Sequence, residues 1–228
     1  MQACRLCRTF VFGLRFCCVL GETDCSATNS YRPDGQGRQL KQSSQILLAL
    51  GANLPSRAGD PAQTLRTALA IMHAQPEVSI RAISHFWATP AHPAGSGPEF
   101  CNAAAILTCA MTPHQLLARL HDTEARLDRQ RQGRWTARTA DLDLIGWNGL
   151  VLPDAQTQDE WRALPPDRQQ AETPGELILP HPRMQDRGFV LLPLAEIAPG
   201  WRHPRTGQTV AQMLAALPPQ ALQGMVRA

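Results

Sequence analysis

From residue 46 onward the apolar and polar positions fall into short segments of changing period. Ile46-Leu-Leu-Ala-Leu50 is an unbroken apolar run, the pattern of a central strand buried on both faces. Gly51-Ala-Asn53 then turns the chain. Asp60-Pro61 supplies an N-cap with proline at the first helical position, and Leu65, Leu69 and Met72 follow at helical spacing. Val78, Ile80 and Ala82 alternate as a strand, Pro90, Pro93, Gly95 and Gly97 mark a loop, and Asn102 to Cys109 reads as another strand. Thr112-Pro113 opens a second helix whose apolar stripe is Leu116, Leu117, Leu120 and Leu127. Glu124 points with that stripe, and His121 neighbours it. Pro153 to Gly175, within an insertion of about 150–175, shows no sustained period and reads as a mobile surface loop with no catalytic group. Phe189-Val-Leu-Leu-Pro-Leu194 is expected to be a final buried strand, and a short helix follows Thr209 with Val210, Met213, Leu214 and Leu217 on one face.

The stretch that carries chemistry is Arg134-Trp-Thr-Ala-Arg138-Thr-Ala-Asp141-Leu-Asp143-Leu-Ile-Gly-Trp147. Side chains alternate along a strand, so Asp141 and Asp143 share one face and Leu142 and Leu144 take the other. Aspartate is a poor strand residue, so two of them require a reason. One reason is a solvated edge whose charges block further pairing. The other is a metal–phosphate site. Carboxylates roughly 7 Å apart along a strand can each hold one of a pair of hard cations, and Mg²⁺ completes such a site with waters and phosphate oxygens. Arg129, Arg131, Arg134 and Arg138 lie just upstream, where they complement a phosphate chain.

Charge and cysteine usage narrow the setting. The chain has 228 residues and a net charge of +3. Residues 1–44 hold six basic residues (Arg5, Arg8, Arg15, Arg32, Arg38, Lys41) and three acidic ones (Glu22, Asp24, Asp34), leaving 16 of each in the body. A neutral body with local positive charge around 126–138 argues for a focused anion site over a nucleic-acid surface. Five of the seven cysteines (Cys4, Cys7, Cys17, Cys18, Cys25) precede residue 26, which is no disulfide framework. Cys4 and Cys7 lack a second pair at zinc-finger spacing. The body therefore reads as a reduced, cytoplasmic protein. The apolar stretch from Thr9 to Leu20 is interrupted by Arg15 and too short to span a bilayer. Residues 26–45 are rich in Ser, Gly, Gln and Asn, so residues 1–44 are expected to be a disordered or non-native extension, of the kind an upstream start codon adds.

Taken in order, Leu50-Gly-Ala-Asn-Leu54, Thr89-Pro90, Phe100-Cys-Asn102, Arg134-Trp135, Arg138-Thr-Ala-Asp-Leu-Asp143, Pro180-His-Pro-Arg-Met184 and Arg187-Gly-Phe-Val-Leu191 resemble the 6-hydroxymethyl-7,8-dihydropterin pyrophosphokinase family across about 46–199. The resemblance implies a single α+β, ferredoxin-like domain over 45–228, with a mainly antiparallel sheet covered by helices. The strand–helix–strand–strand–helix–strand order agrees. It also implies transfer of diphosphate from ATP to the pterin hydroxymethyl group, with release of AMP, in folate biosynthesis. Asp141 and Asp143 match the ligands of two Mg²⁺ ions, and Arg129, Arg131 and Arg138 match phosphate-contacting arginines. His121, Glu124, Leu144, His181 and Arg187 fall in the ATP-binding set, with Glu124 expected at the ribose. Thr89, Pro90, Phe100, Asn102, Trp135 and Phe189 fall in the pterin pocket. The implied partners are small molecules only, ATP and the pterin, with no nucleic acid or membrane, and the expected state is a monomer. Asp128 stands where the family commonly has glycine, His121 replaces a more usual amide, and the insertion has no counterpart. The rival readings are a two-metal phosphohydrolase and a nucleic-acid-binding module.

Overall fold

A computed structural model describes residues 45–91, 97–129 and 138–228. Residues 1–44, Arg131, Arg134 and Trp135, on which several expectations rest, lie outside the described residues. The elements run β1 (Ile46–Ala52), α1 (Pro61–His73), β2 (Val78–Ile83), β3 (Trp87–Thr89), β4 (Phe100–Cys109), α2 (Pro113–Arg126), β5 (Asp141–Trp147), α3 (Ala155–Ala163), α4 (Pro166–Ala171), α5 (Gly188–Ile197), α6 (Val210–Ala216) and β6 (Val226–Arg227).

All strand pairs are antiparallel, in the order β5-β1-β4-β3-β6, with β2 also on β4. Strand β1 is buried throughout between β4 and β5, as its apolar run predicts. Without the short β3 and β6, the order β5-β1-β4-β2 with two crossing helices is the ferredoxin-like arrangement. Each crossing helix is capped as its sequence predicts. The Asp60 side chain accepts from Gln63 N, and Thr112 with Gln115 forms a capping box.

Alternation along β1 divides the core. Ile46, Leu48 and Leu50 join Leu142 and Leu144 beneath α1 and α2. Leu47 and Ala49 join Ile145 against α5 and α6 on the opposite face. Each fully buried leucine contributes roughly 1.5–3 kcal/mol. A bulge in the β1–β5 ladder leaves Ile145 out of the register, and its carbonyl accepts from His181 N at 2.8 Å.

Two expectations are corrected. The run from Phe189 to Leu194 is not a strand but the middle of α5. It is packed against the sheet, and a run that is apolar all round has no period to separate the two forms. Its ten residues exceed a typical strand, and Gly188 admits the Ala221 carbonyl where a β-carbon would collide. The stretch from Pro153 to Gly175 is not a structureless loop, because it holds α3 and α4. The Asp154 side chain caps α3 by accepting from Thr157 N at 2.9 Å. The residue that α3 buries is Gln158, a polar side chain that leaves no hydrophobic period in the sequence.

Candidate active site

The sheet end at which β1 and β3 finish and β4 and β5 begin opens into a cavity of about 920 Å³. That volume suits substantial small molecules. Asp141 and Asp143 both line it from β5, with Leu142 turned into the opposite core, as alternation predicts. Arg138, Leu144, His121, His181 and Arg187 line it as well. So do Thr89, Pro90, Phe100, Asn102 and Phe189. Glu124 and Arg129 lie beside this group and do not line it, and Arg131 and Trp135 are outside the described residues.

Around Asp141 the charges are layered. Its Oδ1 is 2.9 Å from Arg129 and its Oδ2 is 2.5 Å from Arg138. Burial and the neighbouring Asp143 nevertheless hold its carboxyl above the usual range, against the pull of both arginines. Asp143 is more open and stands 3.9 Å from Arg187. Glu124, 2% exposed, accepts from Leu142 N at 2.7 Å and from Arg129. Burial pushes its carboxyl up to about 7, opposed by Arg129 and the Leu142 amide. Glu124 thus ties α2 to the edge of β5 and holds Arg129 against Asp141.

Chemically, the two carboxylates offer hard oxygen donors on one face. They form no cluster of three potential ligands among the described residues. That donor set fits Mg²⁺, which takes few carboxylates and fills its sphere with water and phosphate oxygens. The field at Asp141 points the same way, since a carboxylate disfavoured by burial and a like neighbour gains from a cation.

Across Gly51 from Asp141, on β4, Asn102 Nδ2 donates to Thr89 Oγ1 at 2.7 Å, and both residues are buried. That bond orients the amide. Across the ladder Gly51 faces Asn102, leaving room for its Oδ1. Arg187 sits over the Phe189 ring at 5.7 Å, so one guanidinium serves both the aromatic end and the carboxylates. His181 Nδ1 accepts from Arg183 N at 3.1 Å, which assigns the ring proton to Nε2. Burial lowers its pKa to about 3, so the ring acts as a neutral donor and not as a cation.

Two groups of site residues escaped the sequence reading. Asn53, part of the Gly-Ala-Asn turn, accepts from Arg138 N at 2.7 Å and donates to the Pro98 carbonyl at 3.3 Å. Asn53 N and Leu54 N both donate to the Arg138 carbonyl. The turn therefore holds the backbone of Arg138. The second group is Trp161, Gln169, Glu172 and Glu176, from the helical insertion and its exit, which line the same cavity. The Asp154 cap and Pro166 at the start of α4 were their only sequence signals.

Three comparisons bear on this geometry. A family model described as 7,8-dihydro-6-hydroxymethylpterin-pyrophosphokinase matches residues 47–199. A 2-amino-4-hydroxy-6-hydroxymethyldihydropteridine pyrophosphokinase of Methylorubrum extorquens is 35% identical over 176 residues, covering 77% of this chain and 95% of that protein. One of the same name from Bacillus subtilis is 35% identical over 150 residues, covering 66% and 75%. Among solved structures, a Plasmodium falciparum HPPK-DHPS triple mutant superposes with a TM-score of 0.54 at 13% identity, covering 76% of this chain and 43% of that one. This last likeness shows the fold alone.

Proposed function

This chain belongs to the 7,8-dihydro-6-hydroxymethylpterin-pyrophosphokinase family, and we propose that its cleft lays ATP and the pterin end to end across the start of β5. The enzyme transfers diphosphate from ATP to the hydroxymethyl oxygen of 6-hydroxymethyl-7,8-dihydropterin and releases AMP, a step of folate biosynthesis. One observation carries the assignment of roles. The Asp141–Asp143 face and the hydrogen-bonded Asn102–Thr89 pair open into one cavity.

Asp141 and Asp143 would hold two Mg²⁺ ions, which when bound would supply charge neutralisation on the phosphate chain. Arg138 and Arg187 supply fixed positive charge beside the carboxylates, where phosphate oxygens lie. Arg129 keeps Asp141 in place from the side of Glu124 and adds its charge behind that carboxylate, with Arg131 as a phosphate contact. The Asn102 amide reads the edge of the pterin, oriented by Thr89, while Phe100, Phe189, Pro90 and Trp135 enclose its flat ring. His181 donates through Nε2 on the ATP side, with Leu144, His121 and Arg187. Positioning and electrostatics suffice for such a transfer, because the protein forms no bond to the phosphoryl group.

No described helix is long and apolar enough to cross a membrane. Cys101 and Cys109 are free thiols, which supports a reducing, cytoplasmic setting. The reading carries with it a catalytic unit within 45–228 that works as a monomer on small molecules. The direct test is incubation with ATP, Mg²⁺ and the hydroxymethyl-dihydropterin, with products identified by mass spectrometry. AMP and a pterin diphosphate are expected; ADP with a pterin monophosphate would overturn the assignment.

A further inference from the structure

The insertion is built into the body. Its base is closed by paired backbone bonds between Leu152 and Leu179, at 2.9 and 3.1 Å. Gln158, fully buried, donates from Nε2 to the Pro180 carbonyl at 3.2 Å. Asp159 accepts from Arg162 at 2.9 Å and from Arg205 at 2.5 Å, so α3 is pinned to the turn before α6. Trp161 stands on this pinned helix, half-buried, and lines the cavity that holds Asp141 and Asp143.

The chemistry of the wall selects its occupant. The cavity that Trp161 lines also includes Leu117, Leu144 and Ile178, an apolar surface that suits a flat heterocycle. Glu176 also lines the cavity, and Glu172 does so with its carboxylate bound to Arg168. The Thr89–Asn102 end accounts for the pterin, and the carboxylate face accounts for the phosphates. We propose that α3 and α4 form the outer wall of the nucleoside end of the cleft, with Trp161 covering the purine base of ATP as a specificity-determining residue. This rests on the reading of Asp141 and Asp143 as the phosphate end.

The test is calorimetric binding of α,β-methylene-ATP with Mg²⁺ to the full chain and to Trp161→Leu and Trp161→Phe, alongside steady-state kinetics. Leucine preserves apolar packing and the fold but removes the aromatic face, whereas phenylalanine keeps a ring. Trp161→Leu is expected to weaken nucleotide binding roughly tenfold and to raise KM for ATP in step. Its kcat and pterin KM should hold, and Trp161→Phe should recover most of the loss. Unchanged nucleotide affinity in Trp161→Leu would overturn the proposal. So would equal losses in both variants, or a parallel loss of pterin affinity, because those mark a merely structural role. A wild-type protein that binds the analogue through Trp161 but forms no pterin diphosphate would leave this wall standing and remove the assigned reaction instead.

Discussion

Gly51 and Asn102 face each other across the β1–β4 ladder, and a β-carbon on Gly51 would stand 2.7 Å from Asn102 Oδ1. The amide proposed to read the pterin therefore depends on the absence of a side chain opposite. Gly51→Ala should turn the amide away from its Thr89 bond and raise KM for the pterin about tenfold. The overlap should also cost about 1–3 kcal/mol of stability. Pterin titration and chemical denaturation read the two effects separately, and an unchanged pterin KM would show that the amide tolerates the methyl group.

With Asp141 and Asp143 acting on one phosphate chain, as proposed, Asp141→Asn and Asp143→Asn should each lower kcat on the order of 100-fold or more. Residues working as a unit are non-additive, and the double substitution should cost little beyond the worse single one. Turnover should vanish on chelation of divalent cations and return with Mg²⁺. Losses that multiply cleanly, or activity that survives chelation, would contradict the shared site.

His203 is fully buried, and its Nδ1 accepts from Arg205 N at 3.2 Å and Thr206 N at 3.3 Å. A proton on Nδ1 would oppose both donors, and burial already lowers the ring's pKa to about 4. Below the unfolded value near 6.5 the unfolded chain binds the proton and the folded chain resists it. The stability is thus fully present above pH 6.5 or so and falls as pH drops toward about 4, by about 3 kcal/mol at most. His203→Asn should flatten urea midpoints over that window, leaving the part due to His181, which is lowered further, to about 3. An unaltered slope would remove His203 as its cause.

Asp128 adopts a left-handed backbone, φ +65°, at the position where glycine was the expected residue. Aspartate tolerates this region better than most residues. Its carboxylate also accepts from Arg57 N at 2.8 Å and Arg57 Nε at 2.7 Å. Asp128→Ala keeps the unfavourable backbone and loses every bond from Arg57, the one from Nη2 included, so it should melt lowest. Asp128→Gly trades those bonds for conformational ease and should fall near wild type. A scan in which alanine matches glycine would show that the backbone angle carries no penalty there.

The parts of the site legible in sequence were those with a period. Asp141, Leu142, Asp143 and Leu144 alternate, and β5 places the pairs on opposite faces. Glu124 follows the α2 stripe inward, although it meets Leu142 and Arg129 and does not line the cavity. Other parts had no period to show. Strands β3 and β6 are three and two residues long, α5 is apolar on every side, and α3 turns a glutamine inward. The Asn53 contacts reach Pro98 and Arg138, 45 and 85 residues away, and no local pattern encodes such a span.

The Leu152–Leu179 clasp makes the insertion a segment with one entry and one exit, seated on the body by Gln158 and Asp159. Everything between those two residues leaves and rejoins the body at one point, while β5 before it and α5 after it carry the reacting end of the cleft. Loop-closure entropy changes slowly with length, so segments of different size can be exchanged there without redrawing the sheet. With Trp161 over the purine, as proposed, exchange at this clasp would retune the choice of nucleotide and leave the diphosphate chemistry in place, and an inhibitor reaching Trp161 would meet the part of the cleft most open to such exchange.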